Sequence, residues 1–113
     1  MNKRKLLANT ISYDDEILKE LKNPNEAATY LQVAFDEFQE DNDIEAFLVA
    51  LRRVVDAQGG ISNLSEITGL NRQSLYKTLS ETGNPKLDTF GLIMKNLGFK
   101  LQITPATDKR RAT

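Results

Sequence analysis

The sequence contains no cysteine and no histidine among its 113 residues. Their absence excludes disulfide bonds, zinc sites built on cysteine or histidine, thiolate nucleophiles and imidazole bases. No stretch approaches the ~20 consecutive apolar residues that cross a bilayer, and the basic start MNKRKLL leads into polar residues rather than a signal-peptide core. We therefore expect a soluble cytoplasmic protein that folds as one domain.

Charge is distributed unevenly along the chain, although the formal net charge is only -1. Residues 1–12 hold three basic and no acidic side chains, residues 13–45 hold two basic and eleven acidic ones, and residues 46–113 hold ten basic and five acidic ones. Docking to a polyanion depends on the local field more than on the total charge. The acidic pI therefore does not exclude nucleic acid, and the acidic block is equally typical of a solvated helix surface.

The spacing of apolar residues predicts helices along most of the chain. Asn23, Asp43 and Asn71 are placed to cap three of them, and Ser62 or Asn63 could cap a fourth. The predicted helices cover residues 14–22, about 24–39, 44 to the Gly59-Gly60 pair, about 62–68, about 72–80 and about 87–97. The second and third helices should share a core, the fourth should bury Leu64 and Ile67, and the sixth should bury Leu87, Phe90, Met94 and Leu97.

The sequence FKLQIT at residues 99–104 alternates apolar and polar residues, as a half-buried strand does. One strand cannot satisfy its own backbone, so we expect Phe99, Leu101 and Ile103 to form a dimer interface with the same strand of a second molecule. The predicted organisation is a flexible basic segment 1–12, one helical domain 13–104 and a disordered basic tail 105–113.

Two short predicted helices separated by Gly69, Leu70 and Asn71 match a helix-turn-helix at about residues 62–80. Because Leu75 and Leu79 face the core, the other side of the second helix should point outward, into a DNA groove. Arginine and lysine suit guanine or phosphate, glutamine suits adenine, and hydroxyl or amide groups suit phosphate. The candidate DNA-binding residues are Asn71, Arg72, Gln73, Ser74, Tyr76, Lys77 and, after the next turn, Lys86.

The run LSEITGLNRQSLYKTLSETGNPKLDTFGLIMKNLGFKL resembles the addiction-module antidote proteins, HigA-like antitoxins with a lambda-repressor-like helix-turn-helix. TGLNRQSLYKTLS combined with GNPKLDTF is more specific than the helix-turn-helix pattern alone. YLQVAFDE and DIEAFLVALRRVVDAQGG extend the similarity to about residues 12–104. Thr68 and Thr78 stand where such domains commonly have apolar residues, so we expect their methyl groups to pack inward, and Ser65 stands where alanine is usual.

This resemblance implies an all-α, lambda-repressor-like domain with extra N-terminal helices, closed here by the C-terminal strand. It also implies a homodimer that binds a palindromic operator, represses its own operon and neutralises a toxin, usually a small RelE-like ribonuclease. Such toxins are basic because they bind RNA, so the acidic block could attract one. Apolar residues of the first helix or either terminus could make that contact instead.

Other functions remain open from the sequence. Carboxylates at Asp14, Asp15 and Glu16, and at Asp41, Asp43 and Glu45, could serve an enzyme, but acidic residues are expected at helix starts for dipole reasons alone. A pure protein-binding module and an autonomous phage-like repressor without a toxin are further alternatives. The hypothesis that we adopt is equilibrium binding to DNA and a toxin, with no catalysis, cofactor or metal.

Overall fold

A computed structural model describes residues 15–106, and all regular secondary structure within that range is α-helical. The all-α class expected from the sequence is therefore confirmed for these residues. The helices are α1 (residues 15–20), α2 (Pro24–Asp41), α3 (Ile44–Ala57), α4 (Gly60–Thr68), α5 (Arg72–Thr78) and α6 (Leu87–Asn96). None of the helices in the described range is long and apolar enough to cross a membrane.

Three helices begin at the side-chain caps that the sequence predicts: α2 at Asn23, α3 at Asp43 and α5 at Asn71. The Asn23 side-chain oxygen accepts hydrogen bonds from the Asn25 and Glu26 amides, at 2.8 and 3.2 Å, and Pro24 follows at the first helical position. Asp43 caps α3 through the Glu45 amide. Each cap satisfies amides that have no partner within the helix, which fixes where the helix begins.

The start of α4 differs from the prediction that Ser62 or Asn63 caps it. The helix begins at Gly60, its N-cap is Gly59, and no side chain provides the cap. Gly59 and Gly60 have φ angles of 120° and 88°, a conformation that residues with a Cβ rarely adopt. The two glycines therefore form the turn between α3 and α4, and the helix begins within that turn, at Gly60.

The core lies where α2, α3, α4 and α6 meet. Phe47 of α3 contacts Phe35 of α2 and Phe90 of α6, with ring centroids 5.4 and 5.9 Å apart. This arrangement confirms the predicted shared core of the second and third helices. The largest side chains with almost no solvent exposure are Leu21, Leu48, Leu51, Val54, Val55, Leu64, Leu75, Leu79 and Ile93.

Two residues predicted as apolar anchors are exposed instead. Leu87 is 82% exposed because it is the first residue of α6, beside the turn, and the packed face of that helix begins only at Phe90. Ile67 is half-exposed near the C-terminal end of α4, whose buried residues are Ile61 and Leu64.

The predicted strand at residues 99–104 has no regular secondary structure within the single chain. The Phe99 amide donates to the Met94 carbonyl at 2.9 Å, and the Phe99 ring packs against the core. Leu101 and Ile103 are exposed. Pairing with a second molecule stays a prediction, and the expectations for residues 1–14 and 107–113 fall outside the described residues.

Candidate nucleic-acid interface

The connection between α4 and α5 is a three-residue turn held by side-chain hydroxyls. Gly69 ends α4 with a φ of 78°, and its amide donates to the Ser65 carbonyl. The Ser65 hydroxyl donates to the Leu70 carbonyl at 2.5 Å, and the Leu70 amide donates to the Thr68 hydroxyl oxygen at 3.1 Å. These hydroxyls satisfy both backbone groups of Leu70, a role that the sequence prediction for Ser65 and Thr68 did not foresee.

The seven-residue helix α5 has one buried side and one exposed side. Leu75 and Leu79 are 1% and 2% exposed, as the sequence predicts, so they anchor the helix to the core. The candidate DNA-binding residues around them are all exposed: Asn71, Arg72, Gln73, Ser74, Tyr76 and Lys77.

Asn71 has a structural role that limits what it can offer a ligand. Its side-chain oxygen accepts the Ser74 amide at 3.1 Å and caps α5. The amide NH₂ group of Asn71 is the part of this side chain suited to donating a hydrogen bond to phosphate. Asn71 therefore both fixes the start of α5 and places a donor at its edge.

Arg52 of α3 belongs to this surface, although sequence reasoning did not identify it. Its guanidinium carbon lies 5.0 Å from the centre of the Tyr76 ring, and its Nε donates to Asp56 at 2.9 Å. The Arg52-Arg53 pair in α3 was the only signal in the sequence. The contact holds the Tyr76 ring against α3, so Tyr76 is less free than a residue on an isolated helix.

We expect Arg52 and Tyr76 to be energetically coupled. An exposed cation–π contact contributes about 0.5–1 kcal/mol, and the Arg52 and Asp56 side chains are about one-third exposed, so their ion pair adds little. A double-mutant cycle of Arg52→Ala and Tyr76→Leu, measured by denaturant unfolding, should show coupling of that size. The cycle of Arg52→Ala with Asp56→Asn is the comparison, and a coupling of zero between Arg52 and Tyr76 would contradict the assignment.

Lys86 follows a turn that closes tightly onto the end of α5. The Gly83 amide donates to the Ser80 carbonyl at 2.9 Å, and the Ser80 hydroxyl donates to the Lys77 carbonyl at 2.7 Å. A Cβ on Gly83 would lie 2.6 Å from the Thr78 carbonyl carbon and closer still to its oxygen. Lys86 follows as the N-cap residue of α6 and is exposed.

A second charged surface lies on α2, which carries five acidic residues and no basic one. These residues are exposed: Glu26, Asp36, Glu37, Glu40 and Asp41. Asp41 and Asp43 each accept a backbone amide near the α2–α3 junction, at 2.9 and 3.1 Å. Within residues 15–106 no group of three or more acidic side chains is arranged to hold a metal ion.

The structure thus defines a small all-α protein that presents a short polar and basic helix and, separately, an acidic helix. The sequence matches the family described as "Probable addiction module antidote protein" over residues 11–105, and the chain belongs to that family. An uncharacterised protein of Haemophilus influenzae is 36% identical over 90 residues, which cover 80% of this chain and 88% of the relative. No solved structure matches. Membership in an antidote family implies a partner toxin.

Proposed function

We propose that this protein is the antitoxin of a type II toxin–antitoxin module. It neutralises a RelE-like ribonuclease by forming a complex with it, and it represses its own operon by binding operator DNA as a homodimer through a helix-turn-helix formed by α4 and α5. The observation that carries the proposal is membership in the antidote family. The exposed polar side of α5 supports the DNA-binding part. The proposal includes no catalytic activity and no cofactor.

The argument for DNA rests on which groups α5 exposes. Arg72 and Lys77 can donate to guanine or to phosphate, and the Gln73 amide can pair with adenine. Leu75 and Leu79 anchor the helix to the core, while Arg72, Gln73 and Lys77 are all exposed to solvent. An acidic helix elsewhere on the molecule does not prevent binding, because the field near α5 governs docking.

Binding to the promoter of its own gene tests this part of the proposal. The protein should shift that duplex in a gel assay more strongly than a scrambled duplex of the same composition. Affinity should fall steeply with salt, since log K declines by roughly 0.9 per log salt for each phosphate neutralised. Equal affinity for both duplexes would contradict operator recognition.

The argument for the toxin rests on charge. RNA-binding ribonucleases are basic, and the exposed carboxylates of α2 would attract a basic partner and speed association. Four of these carboxylates lie near the C-terminal end of α2: Asp36, Glu37, Glu40 and Asp41. That end of α2 is therefore the best candidate for the contact with the toxin.

Co-expression tests the toxin part of the proposal. The protein should restore growth to cells that express the small basic protein encoded beside it, if such a gene is present. Glu37→Gln with Glu40→Gln should slow association with that toxin, about tenfold or more at low salt, whereas Glu66→Gln with Glu81→Gln should not. All four glutamates are exposed, so the pairs are matched. No rescue by the parent protein would favour an autonomous repressor.

A further inference from the structure

An apolar groove lies open between α2, α3 and α6. Its volume is about 110 Å³, which suits one aliphatic side chain, since a cavity of roughly 150 Å³ holds benzene. Phe35, Phe90 and Phe99 at the groove are only partly buried, and Ala28 is exposed. The residues that form its apolar lining include Ala28, Phe35, Phe47, Phe90, Met94 and Phe99.

The segment that follows leaves directly from the groove. Phe99 is tied to Met94 by its backbone and lines the groove, and the chain then continues without secondary structure. Leu101 is 53% exposed and Ile103 is 99% exposed. Pro105 has no N–H, so a ladder of backbone hydrogen bonds would end before it. This short segment therefore carries apolar side chains and backbone groups for which a second copy is the natural partner.

The side chains favour a register for antiparallel pairing of two copies in which all three apolar residues pair with one another. With Leu101 opposite itself on a two-fold axis, Phe99 lies opposite Ile103 of the second copy, and all three apolar residues share one face. Lys100 then lies opposite Gln102. A shift that centres the pair on Lys100 would place two lysines directly opposite each other, which is unfavourable. A shift of one residue between the strands would put apolar residues opposite polar ones.

We propose that residues 99–103 of two copies pair antiparallel about Leu101, and that Ile103 of each copy covers the apolar groove of the other. Phe99 lines the groove, so the residue opposite Phe99 is brought to its rim. The inference rests on the homodimer of the proposed function and adds its register and the residue that fills the groove.

Single cysteines test the register, because the chain has none of its own. Opposite residues in an antiparallel pair have Cα atoms about 4.5–5.5 Å apart, within the range of a disulfide, whereas diagonal ones are about 7–8 Å apart. Under a mild oxidant, Leu101→Cys should form a covalent dimer faster than Lys100→Cys or Gln102→Cys alone. A mixture of Lys100→Cys and Gln102→Cys should form the mixed disulfide. Faster cross-linking of Gln102→Cys alone would overturn the register.

A pair of lysine substitutions at adjacent positions tests the groove. Ala28 and Thr29 are both exposed on α2, but only Ala28 lines the groove. Ala28→Lys should raise the dimer dissociation constant about tenfold or more, because it places a charge where Ile103 would pack. Thr29→Lys adds the same charge one residue further along and should change that constant by no more than about threefold, as a surface substitution does. Light scattering on dilution measures both.

Three outcomes separate the parts of the inference. If Leu101→Cys cross-links but Ala28→Lys leaves the dimer unchanged, the pairing stands and the groove assignment is wrong. If Ala28→Lys lowers the unfolding midpoint without affecting the dimer, the groove is covered within one chain, which also overturns the assignment. A parent protein that is monomeric and still shifts its promoter would overturn the inference and the homodimer while leaving DNA recognition by α5 intact.

Discussion

Replacing both Arg72 and Lys77 by alanine should weaken operator binding by at least about 30-fold for each protomer engaged. A good base contact contributes roughly 1–3 kcal/mol, so two lost contacts remove about 2–6 kcal/mol. Both side chains are exposed on α5, so neither belongs to the buried core that holds Leu75. Titration of the promoter duplex at fixed salt, followed by fluorescence anisotropy, measures the loss.

The control for this prediction removes the same charge elsewhere. Lys19→Ala with Lys22→Ala changes two exposed lysines in α1 and in the turn after it. This variant should bind nearly as tightly as the parent, and both double variants should unfold at the parent's midpoint. A folded Arg72→Ala, Lys77→Ala variant that binds as tightly as the parent would remove α5 from the interface.

Gly83→Ala should destabilise the fold by about 1–3 kcal/mol or more, the range of other overpacked sites. The new methyl would lie 2.6 Å from the Thr78 carbonyl carbon, and the close atoms belong to the backbone. To remove this steric clash the turn must move away from α5, and we expect the position of Lys86 to shift with the turn. Chemical denaturation should show a lower midpoint, and operator affinity should fall beyond what the lost stability explains.

Gly91→Ala is the matched control for that prediction. Gly91 lies inside α6, and a Cβ added there meets nothing within 4 Å. Because alanine stabilises a helix interior by about 0.5–1 kcal/mol relative to glycine, this variant should be as stable as the parent or more stable. Equal effects of the two substitutions would show that the close approach at Gly83 has no energetic consequence.

Local chemistry made much of this fold predictable from sequence. The caps at Asn23, Asp43 and Asn71 are confirmed because a cap depends on one side chain and amides two or three residues away. The buried pair Leu75 and Leu79 is confirmed for a similar reason, since helical spacing alone puts both on one side.

The predictions that were wrong or missing depended on contacts between distant residues or on backbone strain. The start of α4 is set by the positive φ angles of Gly59 and Gly60 rather than by a capping side chain. The exposure of Leu87 depends on where α6 begins to touch the body. The contact between Arg52 and Tyr76 joins two different helices, and the spacing of residues within either helix does not predict it. The roles of the candidate DNA-binding residues stay predictions.

The shortness of α5 has a consequence for how the protein loses activity. A helix of seven residues is far shorter than the roughly 12–15 residues needed for helicity in isolation. The helical conformation of α5 is therefore stabilised by the packing of Leu75 and Leu79 in the domain core. A synthetic peptide of this sequence would be a random coil. Loss of operator binding with rising temperature should therefore coincide with thermal unfolding of the whole domain. Any change that unfolds the domain should abolish DNA recognition as well.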